Sequence, residues 1–294
     1  MRLPVVVGVD GSEGSLRALD WAAAEAARSR LPLRIVHASL WEHYEGLRPG
    51  ADDEHPGEQA LAEHLVASAR DRVRDLRPEV GVVCDVQPED PVAALVRESH
   101  KAALVVLGSR GRGRIAGMLL GSVGLSLAGR SHCPVVVVPA VLPAAPAEPG
   151  RVVVGISDAD TPSAAAVFAL AQAAARHVEL VAVRAWRRPA HELLTHPPLP
   201  GSPASPQCRR AEEHLDAILG ALAEGDDSGT AVRRSVVQGP AHQVLIDAAD
   251  KAELLVVGAR RSSGWHGLQL GPVNHAVLHY ATCPVAVVPD TYRG

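Results

Sequence analysis

The sequence predicts an α/β fold present twice in tandem, and three observations carry that prediction. Short valine-rich runs alternate with segments of helical period. The runs are continuous rather than alternating, as strands buried on both faces of a helix-covered parallel sheet must be. Landmarks of the first half also return in the second half in the same order. Val5-Val6-Val7-Gly8-Val9 reappears as Val152-Val153-Val154-Gly155-Ile156, and Leu104-Val105-Val106-Leu107-Gly108 as Leu254-Leu255-Val256-Val257-Gly258. Cys133-Pro134 with its valine run reappears as Cys283-Pro284 with a similar run. One repeat per half means a duplicated fold and not a solenoid. Domains at 1–139 and 151–294 follow, joined by a linker at 140–150. Its Pro143, Pro146 and Pro149 cannot sit inside a helix or a central strand.

In the first half a strand is expected at 5–9, a helix at 15–30 and a second strand at 33–37. A helix at 58–76 is expected to place Leu61, Leu65, Ala69 and Val73 on its core-facing stripe at i, i+4 spacing. A third strand follows at 80–86. Pro91, suited to the first position of a helix, opens a short one with Val92, Leu95 and Val96 turned inward. A fourth strand at 103–107, a helix at 122–130 and a fifth strand at 135–138 complete the half.

Composition excludes several classes of function. The 29 basic and 33 acidic residues leave no broad positive field for nucleic acid or an anionic membrane surface. Four Trp, three Tyr and one Phe are too few for base-stacking platforms. No window approaches the roughly 20 apolar residues of a membrane helix, and the N-terminus lacks the pattern of a secretory signal. Cys84, Cys133, Cys208 and Cys283 lie far apart, without metal spacing or disulfide density, so a reducing cytoplasm is the expected compartment. Cys133 and Cys283, at matching repeat positions before a buried strand, read as packing residues.

Ligands of open parallel sheets bind beyond the carboxyl ends of the strands, where the strand order reverses. Strand one ends in Val9-Asp10-Gly11-Ser12, and strand four in Gly108-Ser109-Arg110-Gly111, with Gly121-Ser122 following at the start of a helix. A phosphate chain needs converging backbone N–H groups with no Cβ in the way, and a helix N-terminus adds donors and partial positive charge. Gly108, Gly111 and Gly121 supply that approach. Ser122 either caps the helix or turns its hydroxyl to phosphate. Arg110, Arg112 and Arg114 read equally as phosphate partners or as a solvated rim. Asp10 alone is also a natural turn or helix-entry residue, and Ser12 a natural cap.

This spacing (glycine, two residues, glycine, nine residues, glycine and serine) resembles the universal stress protein family, in which it marks ATP-binding members. The resemblance runs over essentially the whole chain, twice, and takes in Asp10 and the Cys133-Pro134-valine ending. It implies doubly wound modules, Rossmann-like and adenine nucleotide alpha hydrolase-like, each with a five-stranded parallel sheet of order 3-2-1-4-5. Strands one and four are then neighbours, and the two candidate segments line one cleft. The implied ligand is ATP, with or without Mg. Val9, Asp10 and Gly11 would lie by the ribose or adenine edge, with Ala38 and Leu107 around the base. Gly108, Arg110, Gly111, Gly121, Ser122 and Val123 would surround the phosphates. Self-association through strand-five edges, and a homodimer of tandem chains, are further implications. The expected function is a regulatory stress-response module that binds ATP without fast turnover, with a surface-acting scaffold and a slow ATPase as alternatives.

The second half departs at the motif, with Ser157 opposite Asp10, Arg261 opposite Gly111, and Gly271-Pro272 opposite Gly121-Ser122. Arginine puts a side chain where backbone should approach phosphate, and proline removes a hydroxyl and an N–H, so only the first half is expected to hold ATP in this way. Gly111 to Ala116 also fits the dinucleotide pattern G-x-G-x-x-A. It does not follow the first strand, however, and lacks an acidic residue roughly 20 positions on. His43, His55, His191 and His196 fall in long loops without zinc-like spacing. No paired carboxylates, Ser-His-Asp order or activated cysteine maps to the cleft, so no catalytic residue is assigned.

Overall fold

A computed structural model describes residues 2–40, 57–109, 121–141, 150–157, 162–187, 205–226, 228–259 and 270–293. Its elements fall into two compact units. The first contains β1 (Val5–Gly8), α1 (Glu13–Ser29), β2 (Leu33–Ala38), α2 (Glu58–Leu76), β3 (Val82–Gln87), α3 (Pro91–Ser99), β4 (Leu104–Gly108), α4 (Ser122–Arg130) and β5 (Val135–Val138). All its strand pairs are parallel, in the order β3-β2-β1-β4-β5. The chain builds outward from β1 to one side, then crosses to β4 and β5 on the other, so the order reverses between β1 and β4. Helices α1 and α2 pack on one face and α3 and α4 on the other. That cover explains why the valines of β1, β4 and β5 are buried throughout.

The second unit contains β6 (Arg151–Gly155), α5 (Ala164–Arg176), β7 (Glu179–Trp186), α6 (Pro206–Ala223), β8 (Val232–Gln238), α7 (Ala241–Ala249), β9 (Leu254–Ala259), α8 (Pro272–Tyr280) and β10 (Val285–Pro289). Its parallel order, β8-β7-β6-β9-β10, is the same order in the second copy. The duplication extends to detail. Helices α1 and α5 both stop at a non-glycine residue in the left-handed region, Arg30 at φ 52° and His177 at φ 55°. In each, the next amide reaches back five residues, Leu31 to the Ala26 carbonyl at 2.9 Å and Val178 to that of Ala173 at 3.2 Å. This closes the helix end in the Schellman manner without the usual glycine.

Several expectations need correction. The buried stripe of α2 is Ala62, Val66, Ala69 and Val73, while Leu61 is 55% exposed. Each residue advances about 100°, so a pure i+4 series drifts by about 40° per step, whereas alternating steps of four and three stay on one face. In α3 the buried positions are Ala94, Leu95, Glu98 and Ser99, with Val92 and Val96 only half-buried. Helix α1 begins at Glu13 rather than residue 15 because Ser12 caps it, and β3 runs from Val82 rather than residue 80. Most of the expected linker, residues 142–149, lies outside the described residues. Among those described, no helix is long and apolar enough to cross a membrane.

Cys133 and Cys283 are buried immediately before β5 and β10. Burial pushes their thiols up to about 11 and about 12, so at neutral pH they are packed, protonated groups. Alkylation followed by peptide mass spectrometry should modify the half-buried Cys84 and Cys208 in the native protein, and Cys133 and Cys283 only after unfolding. In urea titrations of the first unit's transition, Val66→Ala should lose about 1–3 kcal/mol. Leu61→Gln should change stability by less than about 0.5 kcal/mol.

Candidate functional site

The carboxyl ends of β1 and β4 meet at the reversal of strand order in the first unit. Beyond β1, Val9 stays beside β2 through its amide to the Val36 carbonyl at 2.9 Å. The turn that follows is a connected set of hydrogen bonds. Asp10 Oδ1 accepts from the Ser12 amide at 3.0 Å and from Ser12 Oγ at 2.6 Å. Ser12 Oγ in turn accepts the Ser15 amide at 3.2 Å, which makes it the cap of α1. Ser15 Oγ donates to the Ser12 carbonyl at 2.9 Å and accepts the Asp10 amide at 3.3 Å. Gly11 turns the chain at φ 78°, a conformation that favours glycine.

Gly108 has an identifiable structural task. A Cβ built there would stand 2.5 Å from the Gly14 carbonyl oxygen and 3.0 Å from the Ser15 nitrogen. The missing side chain therefore lets the first turn of α1 lie on the end of β4. Its neighbour Leu107 points to the opposite face, is 7% exposed, and reaches over Gly8 toward Leu95 of α3.

The next residue, Ser109, donates its amide to the Val138 carbonyl and accepts the Gly121 amide on its own carbonyl, both at 2.8 Å. Gly121 is the N-cap of α4, with φ −71° and ψ 153°, and no side chain caps the helix. Ser122 already has helical conformation as the first residue, so the capping role is not its own, and it is exposed. The first backbone bond of the helix runs from the Leu125 amide to the Gly121 carbonyl. The amides of Ser122, Val123 and Gly124 precede that ladder, at the positive end of the helix dipole. Among the described residues, a Cβ on Gly121 would meet the Ser109 carbonyl oxygen, at an ordinary 3.7 Å.

Val9, Asp10, Gly11, Gly108, Gly121, Ser122 and Val123 accordingly sit on adjoining segments at one edge of the sheet. Ala38 is the half-buried last residue of β2. Arg110, Gly111, Arg112 and Arg114 lie outside the described residues, as do His43, His55, His191, His196 and Arg261. Among the described residues, no group of three or more His, Cys, Asp or Glu could hold a metal ion.

The second unit repeats the frame and changes its contents. Gly271 is the N-cap of α8 and Pro272 its first residue. Asn274 stands where the first unit has Gly124, is 8% exposed, and donates Nδ2 to the Gly258 carbonyl at 2.9 Å. A side-chain amide therefore ties the helix start to the strand end where the first unit's residue, Gly124, has no side chain to do so. Helix α5 has 13 residues against 17 in α1, and among the described residues a Cβ on Gly258 would meet Ala165 Cβ, at 3.6 Å. The close backbone contact at Gly108 has no counterpart among the described residues. Sequence reasoning passed over Ser15, His37 and Gly124, of which only Gly124 was open to detection, by comparison with Asn274.

The universal stress protein family model matches residues 1–139 and again 149–289. A universal stress protein of Mycobacterium tuberculosis is 37% identical over 292 residues, with 96% of each chain covered. A second from the same organism is 31% identical over 299 residues, covering 98% of this chain and 97% of its own. A solved universal stress protein of Archaeoglobus fulgidus aligns over 99% of this chain and 100% of its own, with TM-score 0.58 and 16% identity, a likeness of fold.

Gly108→Ala should lower the stability of the first unit by about 3 kcal/mol, the upper end of overpacking effects, since it meets backbone. Gly258→Ala should be nearly neutral, and urea denaturation of the two variants compares them directly.

Proposed function

The chain belongs to the universal stress protein family, and from that premise we propose that its first unit binds ATP as a regulatory ligand in the cytoplasm. The observation that carries this reading is the start of α4. Its N-cap is a glycine at which, among the described residues, a Cβ would meet no more than an ordinary contact, and its first-turn amides carry no side-chain cap. A triphosphate suits such a place by charge and by hydrogen-bonding capacity. The Ser109–Gly121 bond holds these donors to the end of β4, and the Asp10-Ser12-Ser15 turn stands at the adjoining strand end. Val123 and Ser122 join the phosphate side of this reading, and Ala38 the base side.

Any Mg would come with the nucleotide and would supply charge neutralisation at the phosphates, since the described side chains offer it no cage. The cysteines are free thiols, in keeping with a reducing compartment. The second unit, with Asn274 and Pro272 at the corresponding place, serves as a structural partner to the first.

Calorimetric titration of nucleotide-free protein with ATP tests this. Gly121→Ala should weaken binding by about tenfold or more, since a methyl group would crowd a phosphate held by the helix start. Gly271→Ala, which makes the same change of cap residue in the second unit, should leave the affinity unchanged. Absence of both binding and co-purified nucleotide would overturn the reading.

A further inference from the structure

We propose that His37 selects adenine over 6-oxopurines by accepting the exocyclic amine of the base on Nε2, an inference that rests on the nucleotide reading above. His37 is 9% exposed, in the carboxyl-terminal part of β2. Gly8 pairs with Val36 in the β1–β2 register, so His37 stands beside Val9, where β1 gives way to Asp10. Its Nδ1 lies 2.7 Å from the Val9 carbonyl oxygen. A carbonyl only accepts, so Nδ1 carries the hydrogen, and in the neutral ring Nε2 is left as a bare acceptor. Among the described residues, the bond to Val9 is the ring's one hydrogen bond.

The second unit shows what the histidine adds. Gly155 pairs with Val183 as Gly8 does with Val36, which puts Arg184 at the matching position. Arg184 Nη1 donates to the Ile156 carbonyl at 3.1 Å, the counterpart of the Val9 carbonyl. Both units thus satisfy the carbonyl just beyond their first strand from their second strand. A guanidinium does so without offering any acceptor, whereas imidazole keeps one. Satisfying the carbonyl therefore does not by itself call for histidine, and the distinguishing property of His37 is the second nitrogen.

A ring acceptor that no described protein group engages is open to an N–H donor from a ligand. Adenine presents one at C6, where hypoxanthine and guanine present a carbonyl oxygen, itself an acceptor. Sites built around a buried hydrogen-bonding group reject the analogue that cannot complete the bond.

Calorimetric titrations with ATP and inosine triphosphate, which differ at C6 and in the protonation of N1, read this selection. The wild-type protein should bind ATP about tenfold or more tightly than inosine triphosphate. His37→Arg, which retains a donor for Val9 and removes the acceptor, should bring that ratio close to one. His37→Gln, whose amide offers both a donor and an acceptor, should restore part of it. Equal wild-type affinities, or an unchanged ratio in a folded His37→Arg protein, would overturn the role of His37 and leave ATP binding standing. Failure of the wild-type protein to bind either nucleotide would overturn both.

Discussion

Helix α1 lies against the end of β4 only because Gly108 presents no side chain to the backbone of Gly14. That approach sets where the helix starts, and the helix start sets the turn before it. Ser12 and Ser15 are held in the first turn, and they in turn hold Asp10. On the other side of the same strand end, Ser109 fixes Gly121 and with it the direction of α4. A steric allowance at one residue thus underlies a run of polar contacts that orients two helix N-termini. Glycine acts here first through packing, and its service to any ligand is secondary.

The two units share one architecture and differ in how that edge is filled. In the first, Gly121 and Gly124 bring no side chain of their own to the helix start. In the second, Asn274 bridges it by donating to Gly258. Such a bridge gives the half-buried Gly258 carbonyl an internal partner, which removes a reason for the site to hold anything else. The contrast between His37 and Arg184 follows the same logic, with one carbonyl satisfied in two ways and only one of them leaving an acceptor.

The parallel sheet was legible because continuous valine runs have few other solutions, and the duplication because its landmarks recur in order. Strand order was not contained in periodicity and came from the family resemblance. The error over Leu61 arose from a spacing rule carried through too many turns, so that a drift small at each step accumulated. Asp10 illustrates a different limit. Its turn role and its ligand role draw on the same carboxylate, and only coordinates show Ser12 already bound to it. His37 was illegible for a further reason, since its interest lies in which nitrogen is engaged, and the partner is 28 residues away.

Because the Ser109 carbonyl takes the Gly121 amide, the end of β4 and the start of α4 are joined by a bond that draws on no side chain. Any residue but proline at 121 keeps the donor, and any residue at 109 keeps the acceptor. A duplicated copy of such a module can therefore exchange the side chains beside this junction, and with them what it recognises, without giving up the junction itself.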